Sequence, residues 1–180
     1  MRDSVLIFGS GMMGCAIGCC AALAHNKVIM YDADSAVLQK AKKRVSDNLN
    51  ELSDLGLCTM EQTKEAKKYI SVSRDVTQAC EQTKVVIEAV FENLEIKQNV
   101  FEMLDRLLPA AVPLLSNTSG LRITDISSRT KHPERTLTTH FWLPANLIPL
   151  VEIVIGDRSS PELAVKIKEM LISWGKAPVI

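Results

Sequence analysis

No stretch of this chain stays apolar for the ~18 residues that a membrane crossing needs, and neither sign of charge is in excess. Lys and Arg together number 21, as do Asp and Glu. With no basic surplus and no cluster mixing basic with aromatic residues, nucleic acid and anionic membrane are not expected as partners. A strand-like run begins almost at the first residue and leaves no room for a signal peptide, so a cytoplasmic, soluble domain is expected. Cys-x-x-Cys is absent, and no histidine accompanies Cys15, Cys19, Cys20, Cys58 or Cys80 at ligand spacing; no metal is expected. Five thiols, an odd count, suit a reducing compartment. The three on one segment read as small apolar residues packed against a sheet. What remains is an ordinary globular composition, 47% hydrophobic, over 180 residues, the size of one domain with a real core.

Within it lies one dense signal. Val5-Leu6-Ile7-Phe8 runs into Gly9-Ser10-Gly11-Met12-Met13-Gly14, a Gly-x-Gly-x-x-Gly turn, and Val28-Ile29-Met30-Tyr31 then ends on Asp32. Strand, turn, helix and second strand closing on an acid are the parts that grip a dinucleotide. Gly9 permits the tight turn, and Gly11 lets backbone N–H groups of the Met12 and Met13 turn approach a pyrophosphate. Gly14 is expected to let the helix pack closely on the sheet. The helix N-terminus presents partial positive charge to the phosphates. Asp32 is placed to bind the adenosine ribose hydroxyls. Ala33 and Asp34 supply no cation for a 2′-phosphate, which favours NAD over NADP.

Strand-like and helix-like runs alternate to the end of the chain, the pattern of an α/β fold with a Rossmann-like, doubly wound, mainly parallel sheet. Strands are expected near 4–9, 27–32, 70–73, 85–89, 114–118, 137–141 and 150–155, with another starting at Ala177. Helices are expected near 12–25, 35–55, 59–68, 75–82, 94–108 and 163–174. Thr59 with Gln62 forms a capping-box pattern. The helices at 35–55 and 59–68 make a pair longer than an ordinary crossover, a helical-hairpin insertion part of which should project from the sheet. All of residues 1–180 form one nucleotide-binding domain on this reading.

Several polar residues fall just past the carboxyl ends of expected strands, where open α/β sheets hold their ligands. They are Glu88, Glu92 and Asn93, then Ser116-Asn117-Thr118-Ser119, then His140, with Glu152 twelve residues later. Each has a plain structural alternative: the serine-rich run can be a turn bonding its own backbone, and a lone histidine at a strand end can be a satisfied core residue. Glu152 stands out within Leu150-Val151 and Ile153-Val154, because a buried carboxylate is costly unless paired, and His140 is a suitable partner. His25 and His132 read as surface residues.

These blocks resemble the L-3-hydroxyacyl-CoA dehydrogenases. Similar to that family are Val86-Ile87-Glu88-Ala89-Val90-Phe91-Glu92-Asn93 with Lys97, Ser116-Asn117-Thr118-Ser119, His140 through Val151-Glu152, and the closing Gly175-Lys176-x-Pro178-Val179. The resemblance implies that His140 takes the substrate hydroxyl proton while C3 gives hydride to NAD. It implies that Glu152 orients the imidazole and that Ser119 hydrogen-bonds the reacting oxygen. Glu92, Lys97 and Asn117 would lie along the nicotinamide half of the cofactor. It further implies a second, helical domain after the strand at Ala177, which completes the substrate cleft and forms most of a homodimer interface. This chain ends before that domain, so the chain alone is expected to turn over poorly.

Departures from the family bear on the substrate. Phe141-Trp142-Leu143-Pro144 stands where the family has Phe-Phe-Asn-Pro, so an amide gives way to Leu143. Asn48 and Leu55 stand where a Ser and a Lys would contact CoA; Lys40, Lys42, Lys43 and Arg44 could still meet its phosphates or simply be solvated. An acyl-CoA is the leading substrate. A small free hydroxy acid, as in carnitine or gulonate dehydrogenases, is the alternative, and a dinucleotide-binding module without catalysis is a third reading.

Overall fold

A computed structural model describes residues 4–180. Eight strands form one sheet: β1 (Ser4–Phe8), β2 (Lys27–Tyr31), β3 (Ile70–Ser73), β4 (Val85–Glu88), β5 (Leu114–Ser116), β6 (Thr136–Phe141), β7 (Leu150–Val154) and β8 (Ala177–Val179). Their order across the sheet is β3-β2-β1-β4-β5-β6-β7-β8. The first six are mutually parallel; β7 runs antiparallel to β6, and β8 parallel to β7.

The apolar runs become central strands because both faces are covered. In β1, Val5 and Ile7 face one core while Leu6 and Phe8 face the other, the two-residue period of a strand expressed on two buried sides. The first core takes α1 (Met12–Leu23), α2 (Ser35–Asp54), Ala66 of α3 (Met60–Lys68) and α7 (Pro161–Ser173). The second takes α4 (Val76–Cys80), α5 (Leu94–Leu107) and the short α6 (Ile123–Ile126).

Local chemistry sets the helix starts. The Asp34 carboxylate accepts from the Ala36 and Val37 amides, and Asn93 from the Ile96 amide. Thr59 and Gln62 make the reciprocal capping box that their spacing predicts. The α2–α3 pair turns its stripe of Leu38, Ala41, Val45, Leu49 and Leu52 onto the first core. Only its tip, at Leu55, Leu57 and Met60, leaves large apolar side chains exposed. The sequence gives no sign of α6 or of the two 3₁₀ turns at Ser127–Arg129 and Pro133–Arg135, which fill the connection between β5 and β6.

Cys15, Cys19 and Cys20 are buried in the first core, and their thiols reach backbone carbonyls: Ser10 O and Ala41 O, Val45 O, and Ala16 O with Ala145 O respectively. Burial pushes the Cys15 thiol up to about 11, against a smaller pull from Arg44. All five cysteines are unpaired. The small size and burial of Cys15, Cys19 and Cys20 suit packing.

Candidate active site

Strand order reverses between β1 and β4, and the crevice there opens at the carboxyl ends of the strands. Gly9, at φ +104°, makes the turn out of β1, and a Cβ there would stand 2.6 Å from the Ala89 carbonyl oxygen. Its own N–H donates to Tyr31 O. Gly14 makes the expected close approach to the sheet, where a Cβ would stand 3.1 Å from Ile7 Cγ2 of β1, and a tighter contact besides. A Cβ at Gly14 would overlap the Gly9 carbonyl oxygen, so this position lets the first turn of α1 fold onto the glycine turn itself. The close approach of helix to sheet continues one turn later, at Gly18, against Met30, Val28 and Ile7. Gly18 escaped the sequence reading because it lies outside the motif.

Gly11 is unlike either. It has ordinary extended backbone angles, φ −68° and ψ −161°, and no heavy atom comes within 4 Å of a Cβ placed on it. Neither conformation nor packing demands glycine there. It N-caps α1 without a side-chain cap, and no acidic residue occupies the helix's first turn. Open space over uncapped amides at a positive helix end is the shape and charge of a pyrophosphate cradle.

Asp32 follows β2 beside this cradle. Its Oδ2 accepts from the Ser10 amide at 2.7 Å, and its Oδ1 accepts from the Asp34 amide at 2.9 Å. The half-buried carboxylate is thereby fixed to the glycine turn, with lone pairs left for a diol. On its side of the crevice lies a cavity of about 410 Å³ walled by Phe8, Tyr31, Val90, Phe91, Val100 and Met103 among others. Its apolar walls suit a flat heterocycle. Phe8, Tyr31, Val90 and Phe91 fall within the segments singled out in the sequence, but nothing in the sequence marks them, or Val100 and Met103, as walls of a cavity.

A second cavity of about 410 Å³ shares Val90 with the first and lies past the cradle. Met12, Met13, Glu92, Asn117, Ser119, His140, Trp142 and Leu143 line it. His140 and Glu152 are directly opposed across the antiparallel β6–β7 pair. Imidazole Nδ1 lies 2.8 Å from Glu152 Oε2. An ionised carboxylate can only accept, so Nδ1 carries the proton and Nε2 is left free. Glu152 is not the buried acid expected from its apolar neighbours: its side chain is 45% exposed. Strand alternation puts Val151 and Ile153 into the core and Glu152 on the site face.

Asn117 joins the ends of two strands. Its N–H donates to Glu88 O and its Oδ1 accepts from the Phe141 amide at 2.8 Å. Ser119 is exposed on the cavity rim. The turn that carries it is held by Glu92, whose Oε1 accepts from the Thr118 hydroxyl at 2.5 Å and from the Ser119 and Gly120 amides at 3.2 and 3.3 Å. Thr118 Oγ1 also accepts from the Leu121 amide, so local turn bonding coexists with the site.

Lys97 lies beneath this turn and outside the cavity wall. It is fully buried, with Nζ 2.7 Å from Glu88 Oε1 and 3.3 Å from Glu92 Oε2. Glu88 is buried too and also accepts from Ser116 Oγ and the Val90 amide. Lys97 therefore supports Glu92 from behind. Burial acts to raise the Glu92 carboxyl, but Thr118, Lys97 and the Gly120 amide together hold it below the ordinary carboxylate value. His25 is exposed and edge-on to Tyr69, whereas His132 is only half exposed, beside Glu134; neither approaches the crevice lining. Among the described residues no group of three His, Cys, Asp or Glu side chains could hold a metal. Nor is any helix among them long and apolar enough to cross a membrane.

The sequence profile of the 3-hydroxyacyl-CoA dehydrogenase NAD-binding domain matches residues 4–180. The chain belongs to this family. It is 35% identical over 177 residues to 3-hydroxyadipyl-CoA dehydrogenase of Escherichia coli, covering 98% of this chain and 37% of that protein. It is 34% identical over 175 residues to the probable 3-hydroxybutyryl-CoA dehydrogenase of Bacillus subtilis, covering 97% of this chain and 61% of the relative. The crystal structure of 3-hydroxybutyryl-CoA dehydrogenase from Escherichia coli superposes with a TM-score of 0.93 at 34% identity, covering 99% of this chain and 38% of that one. The chain thus spans 37% and 61% of the lengths of these two relatives.

Proposed function

We propose that these residues form the coenzyme-binding part, and carry the acid–base pair, of an NAD-dependent dehydrogenase that oxidises an L-3-hydroxyacyl-CoA to the 3-ketoacyl-CoA. The observation that carries this reading is the His140–Glu152 pair, with the imidazole on the wall of the cavity that continues the dinucleotide crevice and the carboxylate behind it. NAD, when bound, supplies the hydride acceptor. The chain's own residues do the following: the cradle at Gly9, Gly11 and Gly14 with Met12 and Met13 holds the pyrophosphate, and Asp32 the ribose. His140 Nε2 takes the hydroxyl proton as the carbonyl forms, and Glu152 supports the imidazolium. Ser119 and Asn117 line the space beside it, with Ser119 on the reacting oxygen; Glu92, braced by Lys97, borders the nicotinamide half.

A thioester substrate is favoured by charge. Among the described residues the cavity wall carries no Lys or Arg to receive a free carboxylate, and Glu92 would repel one. Leu143 in place of the family's amide is the feature that favours a small free hydroxy acid instead. Following NADH loss in the full-length protein with acetoacetyl-CoA and with free 3-keto acids separates the two. We expect turnover of the thioester; turnover of the free acids alone would replace the reading. Turnover, and dimerisation through a helical domain, are assigned to the protein in its full length; a cytoplasmic setting is part of the same proposal, and five free thiols suit a reducing compartment.

A further inference from the structure

Among the described residues, Glu92 is the single carboxylate on the wall of the cavity beside His140. Beneath it, Glu88 and Lys97 are both fully buried and 2.7 Å apart, so their charges cancel locally. Glu92 is 3.3 Å from the same ammonium and 41% exposed, which leaves its negative charge facing the cavity. No cation lines that wall among the described residues. The charge is also fixed in place: the Thr118 hydroxyl and the Ser119 and Gly120 amides all bond to Oε1.

The cradle and Asp32 dictate which end of a dinucleotide arrives here. With the ribose at Asp32 and its base in the apolar cavity, the diphosphate at the glycine turn directs the other half past Val90 into the cavity of Glu92 and His140. A nicotinamide ring is cationic when oxidised and neutral when reduced. We propose that Glu92 discriminates between the two oxidation states of the coenzyme, favouring the oxidised, cationic ring. This deepens the NAD-binding reading above and rests on it. Other ionisable groups near this cavity are His140 on its wall and Glu152 behind it; Glu152 is engaged by Nδ1.

The test is calorimetric and uses the 180-residue chain with NAD⁺, NADH and ADP-ribose, the last lacking the nicotinamide. Glu92→Gln keeps an oxygen for Thr118 and the two amides while removing the charge. Its expected effect is a loss of about fivefold in NAD⁺ affinity, the size of one unit charge removed a few ångströms away at a solvated wall. NADH and ADP-ribose should bind as to the wild type. Equal losses for all three would make Glu92 a purely structural staple, and no loss at all would make its charge irrelevant; either overturns the proposal. If the variant fails to fold, the wild-type chain answers with benzamide adenine dinucleotide, in which an uncharged ring of the same shape replaces the pyridinium. That compound should bind several-fold more weakly than NAD⁺, and equal binding contradicts the inference. Failure of every dinucleotide to bind would instead remove the NAD-binding reading itself.

Discussion

At the scale of single residues, function rests on a pair whose partnership is set by register. Twelve residues separate His140 from Glu152, and the antiparallel β6–β7 pairing places them opposite each other. The sequence shows their identity and spacing, and pairing was legible for that reason. The wrong inference was burial: neighbours at 151 and 153 are buried because alternate residues share a face, which is why 152 is not. Lys97 is the converse case. A lysine on an amphipathic helix reads as surface or ligand-facing, yet here it is fully buried, because Glu88 and Glu92 converge on it from the β4 end and the loop after it. In the full-length protein, His140→Ala should lower kcat ~10²–10⁴-fold, the usual worth of a positioned general base, with coenzyme affinity within twofold of wild type. Steady-state rates beside a binding titration check this; a variant with unchanged kcat would remove His140 from the chemistry. Lys97→Met leaves Glu88 buried without its cation, which should cost about 3–5 kcal/mol of stability, read from denaturant unfolding.

At the scale of elements, long periodic segments were legible and short ones were not. The stripe of Leu38, Ala41, Val45, Leu49 and Leu52 specifies α2 through its repeat, and the capping box marks the start of α3. A four-residue helix such as α6, or a 3₁₀ turn, is too short to show a period. The three motif glycines are legible as a set, but their separate reasons emerge only from what each would touch. Gly14→Ala should collapse the turn, since the added carbon meets backbone that cannot yield. Gly18→Ala meets the flexible Met30 thioether at 3.0 Å and should cost little. Thermal unfolding of the two variants tests this ranking, and a Gly18 variant less stable than the Gly14 variant would reverse it.

At the scale of the whole molecule, a buried ion pair ties the second core to the start of β6. Arg135 Nη2 donates to Asp105 Oδ1 at 2.7 Å, and the same guanidinium reaches the Pro109, Val112 and Asp105 carbonyls. Burial acts to raise the Asp105 carboxyl, but Arg135, the Lys131 amide and His132 outweigh it and hold it below the ordinary value. A depressed carboxylate stabilises fully above its unfolded-state value, about 4, and that contribution is lost as pH falls through the lower, folded-state value. Unfolding midpoints should therefore drop steeply below about pH 4. Asp105→Asn should show a shallower acid dependence from an already lower plateau, because Arg135 stays buried without its partner. Nothing in the sequence pairs these two residues, which lie 30 positions apart on elements joined only through the fold.

The account stands on the space above Gly11 belonging to a bound diphosphate and to nothing in the protein. Gly11→Ala, titrated with NADH by calorimetry beside the wild type and with both melting temperatures recorded, tests that directly. The account predicts a melting temperature within a few degrees of wild type, the modest price of alanine at an N-cap, and an affinity reduced at least tenfold. Undiminished affinity, or a variant that simply unfolds, would contradict it.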